Sequence, residues 1–279
     1  MSGFFTCPVC GATLLWGERA CRCPAGHCYD LAAEGYVYLL PPNKKHSKAP
    51  GDDKGMVAAR RAFLESGGYD LFREKLCSLA AGLLNGLPAP VVLDVGCGEG
   101  WYTGGLCRAL AAAGCQPQVY GVDVSKFAVK AAAKKYREAR FAVASAFSLP
   151  AAAASVDLAV NVFAPIVPQE LERVVRPGGF LLLAVPTPRH LYGMKQLLYE
   201  EPYENERRDT DYPGFRLLRR ETEEGRLALA SPALVQALFT MTPYFWKTPR
   251  AGVERLRRAE GLRTEIGFDF LIYRREENA

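Results

Sequence analysis

Between residues 90 and 186, short apolar runs alternate with segments of helical period. Val91–Leu93, Val119–Val124, Phe141–Ala144, Leu158–Phe163 and Phe180–Val185 read as buried strands, and Lys126–Arg137 and Gln169–Val175 as the helices between them, with a turn at Arg176–Gly179. This alternation predicts an α/β unit with helices on both faces of its sheet. Upstream, 70–84 sets Leu71, Phe72, Leu76, Leu79 and Leu83 on one helical face, and 55–66 forms another helix bearing Arg60 and Arg61. Downstream the pattern is less regular. A helix is expected to about Glu201, then a loop-rich connection over 202–220, where periodicity is poor and charge mixed. Leu227–Ala230 reads as a strand, Pro232–Phe239 as a short helix, Met241–Trp246 as an aromatic loop and Arg250–Glu260 as a basic helix. In Thr264–Tyr273 the apolar Ile266, Phe268, Phe270 and Ile272 alternate, which predicts a mixed sheet closed by a last strand.

The chain of 279 residues accommodates an α/β domain of about 200 residues plus a smaller module. We divide it at 1–35, 36–89 and 90–279. No apolar run approaches the ~20 residues of a membrane span, and the N-terminus lacks a secretory pattern, so a cytoplasmic protein without a membrane partner is expected. A formal charge of +5 permits a nucleic-acid partner without demanding one. Nine cysteines, an odd number, suit metal binding in the cytosol better than a disulfide framework.

Four ligands stand at structural-zinc spacing in the first 30 residues: Cys7-Pro-Val-Cys10, then Cys23 and His27. So short a segment buries too little apolar surface to hold itself together, and a bound metal would do so. Cys21 and Cys28 leave the ligand set ambiguous: Cys21 crowds Cys23, and Cys28 is an alternative to His27. Such a closed site is structural rather than catalytic. As a separate unit it is expected to be removable without much loss at any site in the α/β domain.

The stretch VVLDVGCGEGWY, Val91–Tyr102, is built as a nucleotide-binding first βα turn. Its spacing is G-x-G-x-G at Gly96, Gly98 and Gly100; a dinucleotide fingerprint would want glycine at Trp101. Asp94 beside the loop disfavours a pyrophosphate and suits a cationic nucleoside, of which S-adenosylmethionine is one. Asp123, 27 positions after Gly96, would end the adjacent strand and accept both ribose hydroxyls, since Ser125 can cap the following helix. Ser145, after the third strand, takes the position of an adenine contact. The set D-x-G-x-G-x-G, V-D and R-P-G-G-F-L-L-L resembles the class I S-adenosylmethionine-dependent methyltransferases over Pro90–Pro186 and implies their Rossmann-like sheet.

Further motifs run along nearly the whole chain. They are C-P-x-C with C-P-x-x-H, E-G-Y-V-x-L-L-P (Glu34–Pro41), P-G-D (Pro50–Asp52), A-R-R-A-F-L (Ala59–Leu64), L-D-V-G-C-G-E-G (Leu93–Gly100), D-V-S-K (Asp123–Lys126), P-R-H-L (Pro188–Leu191) and M-T-P (Met241–Pro243). Together they resemble the RlmA-type 23S rRNA guanine-N1 methyltransferases. The resemblance implies a zinc-binding RNA-recognition module on a methyltransferase domain, acting on a guanine of a domain II hairpin of 23S rRNA. It implies Cys7, Cys10, Cys23 and His27 as zinc ligands, and Tyr69, Gly98, Glu99, Asp123 and His190 as donor contacts. A homodimer is compatible with the sequence.

Guanine N1 carries a proton at neutral pH, so a base within hydrogen-bond reach is needed. Asp52, Asp53, Asp157 and His190 are the candidates, with Asp157 read as opening the fourth strand and His190 as a donor contact. N1 lies on the Watson–Crick edge, so the guanine must be unpaired or flipped out. Phe163, Tyr244 and Trp246 are candidates to stack on it, with Ala164-Pro165 as the floor. Lys44, Lys45, His46 and Lys48 form either a solvated linker or a phosphate-contacting loop. A small-molecule methyltransferase whose zinc module is a protein-interaction knuckle, and a zinc-binding RNA chaperone that no longer binds the donor, are the alternatives.

Overall fold

A computed structural model describes residues 3–42, 50–207 and 210–277. The basic segment with Lys44, Lys45, His46 and Lys48 lies outside the described residues. The N-terminal module is a three-stranded antiparallel sheet of β1 (Leu15–Trp16), β2 (Ala20–Arg22) and β3 (Cys28–Asp30). After it come β4 (Val37–Tyr38), α1 (Lys54–Glu65) and α2 (Asp70–Leu83). The large domain runs β5 (Val91–Val95), α3 (Trp101–Ala112), β6 (Gln118–Asp123), α4 (Lys126–Lys135), β7 (Arg140–Val143), β8 (Val156–Val162), α5 (Pro168–Val174) and β9 (Val175–Pro186). It ends with α6 (Tyr192–Leu198), β10 (Phe215–Leu229), α7 (Pro232–Thr240), α8 (Tyr244–Lys247), α9 (Arg250–Arg258) and β11 (Leu262–Arg275).

The main sheet has eight strands in the order β10-β11-β9-β8-β5-β6-β7-β4. Strands β4 to β9 are mutually parallel, and β11 and β10 are antiparallel additions at one edge. From β5 the chain winds out through β6 and β7, then crosses back to β8 on the other side of β5. The carboxyl end of β5 is therefore the switch point, where a crevice opens in sheets of this kind.

One face of the sheet is covered by α1–α4, α6 and α7, through side chains such as Phe63, Phe72, Leu106, Val129, Met194 and Leu238. The other is covered by α5 and by the N-terminal module itself. Phe4 stacks on Tyr120 of β6 at 3.9 Å, Phe5 meets the same ring edge-on at 5.5 Å, and Thr6 N–H donates to Pro150 O. Strand β4 extends the sheet by pairing Val37 with Ala142 and Tyr38 with Val143.

Three expectations change. Strand β10 is a long edge strand beginning at Phe215, so the last six residues of the expected loop over 202–220 are sheet. Its charged residues hid it: most of Arg216–Arg226 is exposed or half-exposed, and main-chain pairing to β11 rather than burial holds it in place. Strand β9 starts at Val175, so the expected turn at Arg176–Gly179 lies within it. On α2 the buried residues are Phe72, Leu76, Cys77, Leu79 and Ala80, while Leu71 turns outward.

Candidate active site and metal centre

Two tight turns build the metal centre. Gly11 N–H donates to Cys7 O and Gly26 N–H to Cys23 O, each glycine at positive φ. These turns bring the ligand atoms of Cys7, Cys10, Cys23 and His27 within 4.8 Å of one another. The Cys10–Cys23 Sγ separation is 3.6 Å, and His27 Nδ1 lies 3.6 and 3.3 Å from Cys7 and Cys23. A tetrahedral site with ~2.3 Å Zn–S bonds has S···S edges of ~3.8 Å, so the cage fits zinc. Against the cost of burial, the Tyr29 hydroxyl at 3.1 Å and nearby backbone N–H groups lower the Cys7 thiol to about 6, favouring the thiolate that binds metal. Neither Cys21, buried and pushed up to about 11 by that burial, nor exposed Cys28 joins the cage.

At the switch point, Asp94 is the penultimate residue of β5 and Asp123 the last of β6, with the glycine loop following β5. Gly96 is required by protein packing: φ is +79°, and a Cβ there would stand 2.2 Å from that of Ala164 after β8. Gly98 differs, because a Cβ there would face only Arg60 Nη1, at 3.8 Å. Gly100 is the N-cap of α3. The Asp94 carboxylate is buried and accepts from Thr103 Oγ1 at 2.6 Å; burial pushes it up to about 7. Asp123 accepts from Ser125 N–H at 2.7 Å and Gly98 N–H at 3.0 Å. Burial raises its pKa, with those two N–H groups acting against it. Ser125 itself caps α4 through Ala128 N–H.

Over the loop, Asp52 O accepts from Ser125 Oγ at 2.6 Å, strapping the Pro50–Asp53 segment beside Asp123. The Asp52 carboxylate pairs with Arg60. Both Glu99 carboxylate oxygens and the Tyr102 hydroxyl are buried without a hydrogen-bond partner among the described residues. Burial pushes Glu99 up to about 7, and Arg60, 3.9 Å away, offsets that only in part. A buried polar group without a partner is costly, so orphaned groups beside a glycine loop mark a place for a polar ligand. The chemistry of these residues suits S-adenosylmethionine: the Glu99 carboxylate and the Tyr102 hydroxyl could meet an amino-acid end, and the Asp123 carboxylate could accept ribose hydroxyls.

On the opposite wall, Gly267 N–H donates to His190 Nδ1 at 3.2 Å, so Nε2 carries the proton and donates to the Tyr69 hydroxyl at 3.1 Å. Burial pushes His190 down to about 3. Neutral and engaged at both nitrogens, it is poorly suited to act as a base. Asp53 is the N-cap of α1, accepting from Met56 N–H at 2.8 Å. Asp157 lies at the far end of β8, bound to Val91 N–H and Arg176. Of the four candidate bases, Asp52 alone has its carboxylate beside the glycine loop, in an ion pair with Arg60, which also lies 3.9 Å from Glu99. Phe163 stands there at φ +55°, about half exposed, with its ring 4.6 Å from Phe268 and 5.8 Å from His190. Ser145, two residues past the end of β7, accepts from Phe147 N–H. The positions of Tyr102 and Thr103 had no sequence signal; Arg60, which the sequence offers with Arg61 as positive charge for holding RNA, is instead engaged by Asp52 and Glu99 beside the loop.

The sheet order, glycine loop and acid-lined crevice define a class I S-adenosylmethionine-dependent methyltransferase carrying a zinc ribbon. Residues 5–48 match the RlmA N-terminal zinc-ribbon family, and residues 92–179 match a methyltransferase domain family. The chain is 36% identical over 268 residues to a protein of Micromonospora griseorubida described as a 23S rRNA (guanine-N(1)-)-methyltransferase, covering 88% of each chain. It is 36% identical over 189 residues to the 23S rRNA (guanine(748)-N(1))-methyltransferase of Streptomyces fradiae, covering 67% of this chain and 65% of that one. It is 27% identical to YxjB of Bacillus subtilis (strain 168) over 96% of both chains. The chain belongs to this family of rRNA guanine-N1 methyltransferases. No helix among the described residues is long and apolar enough to cross a membrane.

Proposed function

We propose that this protein transfers a methyl group from S-adenosylmethionine to N1 of a guanine in a domain II hairpin of 23S rRNA, in the cytoplasm. The observation that carries this reading is Phe163. A bulky residue at positive φ is strained, and such strain persists where the surrounding structure enforces it. Here Asn161 enforces it: its Oδ1 accepts from Ala164 N–H at 3.3 Å and its Nδ2 donates to Pro165 O at 3.2 Å. The ring is thereby presented at the crevice as a stacking platform for a base turned out of its helix.

S-adenosylmethionine supplies the methyl group from a sulfonium that needs no further activation. The protein's part is alignment and exclusion of water. Glu99, Tyr102 and Asp123 hold the donor's ends, the Tyr69–His190 pair fixes the wall beside it, and Phe163 sets the plane of the acceptor ring. Asp52 accepts the N1 proton. The ribbon, residues 1–35, selects the RNA, since a single base offers too little contact for specificity.

The test is primer extension on in-vitro-transcribed 23S rRNA incubated with protein and donor. A single stop at a domain II guanine is expected, lost in Phe163→Ala, whose donor affinity stays at the parental value. Methyl transfer to small acceptors with none to rRNA would overturn the reading.

A further inference from the structure

We propose that the ridge formed by α8 and α9 is an RNA contact, on which an unpaired base flanking the target stacks against Trp246 while neighbouring phosphates meet Lys247 and the arginines of α9. This deepens the rRNA reading above and rests on it. The Met241–Trp246 segment takes no part in the donor site or the metal centre, yet it is built rigidly. Trp246 is 67% exposed. Its ring meets Phe245 edge-on at 5.0 Å, and Phe245 in turn meets buried Phe239 at 5.6 Å. The turn is closed by Thr248, whose N–H and hydroxyl both donate to Tyr244 O, at 2.9 and 2.8 Å. A large apolar ring is thus held out in water by the packing behind it.

The charge beside it is predominantly positive. Residues 247–258 carry Lys247, Arg250, Arg255, Arg257 and Arg258 against a single carboxylate, Glu254. Arg255 is committed to the fold, donating to Leu197 O and Leu198 O at the end of α6. Arg250 pairs with Glu254 at 3.2 Å but remains almost fully exposed. Lys247, Arg257 and Arg258 are exposed.

The ridge starts at the crevice. The Tyr244 ring lies 5.6 Å from Lys195 Nζ, which donates to Asn205 Oδ1 at 2.7 Å. Asn205 Nδ2 donates to Thr187 O and His190 O, on the donor-site wall. The Tyr244 hydroxyl also contributes to raising the pKa of Tyr69, after burial. Flipping out a guanine strips a neighbouring base of a stacking partner, and a fixed indole beside cationic side chains replaces it. An acidic protein surface would satisfy the cations but leave the indole without a planar partner, so a nucleic-acid strand is the better fit.

The experiment compares parent, Trp246→Ala, Trp246→Phe and the double variant Arg257→Gln/Arg258→Gln on in-vitro-transcribed 23S rRNA. Trp246→Ala should weaken binding about tenfold, within the range of one base–aromatic stack, with donor affinity and melting temperature unchanged. Trp246→Phe should recover most of the loss. The double arginine variant should flatten the log–log salt dependence by about 1.5, the value for two phosphate contacts. Parental RNA affinity and salt slope in all variants, with the parent still methylating rRNA, would overturn the ridge and leave the function standing. So would a change in sedimentation in Trp246→Ala without a change in RNA affinity, which would mark a protein interface. A parent that neither binds nor methylates rRNA would bring down both readings.

Discussion

Arg60 Nη1 stands 3.9 Å from Glu99 Oε2 and also pairs with Asp52, so one guanidinium faces two carboxylates, with Asp94 and Asp123 close behind. The acids outnumber the cation in a water-poor crevice. Burial of Glu99 is therefore not fully compensated, and its pKa rises. A ligand carrying an ammonium would supply the missing positive charge, which is the reason to test the imbalance as a device for donor binding rather than for stability.

Glu99→Gln tests this through pH. The folded pKa of about 7 lies above the ordinary carboxylate value of ~4.3, so the protonated form is favoured by folding. That contribution is complete below ~4.3 and gone once pH has risen through about 7. The Gln variant keeps a neutral side chain at every pH. It should therefore match the parent near pH 4.5 and be more stable by about 1–3 kcal/mol at pH 8, while binding S-adenosylmethionine more weakly. Denaturant unfolding at the two pH values, with donor titration calorimetry, checks both; equal stability at pH 8 would mean that Glu99 finds a partner.

Asp123→Ala should weaken donor binding by about 1–3 kcal/mol, the cost of leaving ribose hydroxyls unpaired. It also frees Gly98 N–H and Ser125 N–H, which the carboxylate holds at 3.0 and 2.7 Å. Asp123→Asn keeps an acceptor for the ribose and should lose less. Calorimetry that finds all three proteins equal would remove Asp123 from the donor site.

Much of the fold was legible because it is written in burial. The runs at Val91, Val119, Phe141 and Leu158 lie in the middle of the sheet, where both faces demand apolar side chains. Strand β10 was not, because an edge strand held by main-chain bonds leaves its side chains free to be charged. Spacing showed that a metal site was there but left Cys21 and Cys28 open as ligands; the family resemblance implied Cys7, Cys10, Cys23 and His27, the four that the two turns gather. The places of Asp94 and Asp123 were visible because both stand at the carboxyl ends of strands. Tyr102 and Thr103 were not, because nothing local separates a ligand-facing position of α3 from a core-facing one. Arg60 comes from a helix packed far from the glycine loop in sequence, and only the fold brings it to Gly98.

His190 sets a second pH dependence, of opposite sign. Its folded pKa of about 3 lies below the ordinary ~6.5, so the stability it contributes is complete above ~6.5 and is lost as pH falls toward 3. His190→Gln should flatten the fall in melting temperature between pH 6.5 and 4 relative to the parent. In NMR the His190 ring of the parent should remain neutral, with its proton on Nε2, down to about pH 4. A ring that titrates near 6.5 would restore His190 as a candidate base.

The metal centre was expected to be separable from donor binding, and the packing argues against that. Tyr120 lies in the strand that ends at Asp123, and it is Tyr120 that Phe4 and Phe5 cover. Phe5, Cys7, Leu14 and Cys21 share one buried cluster with Leu93, Val95 and Val122 of the central strands. Unfolding the ribbon would expose that face of the sheet. At ~25 cal/mol per Å² of apolar surface, exposing even a few large side chains costs several kcal/mol. Removal of zinc by chelation, or Cys7→Ser/Cys10→Ser, should therefore lower the melting temperature of the whole chain and weaken donor binding. Metal analysis paired with calorimetric scanning and a donor titration reads all three quantities. A zinc-free protein with parental donor affinity and an unchanged main transition would show that the ribbon rests on the sheet without supporting it.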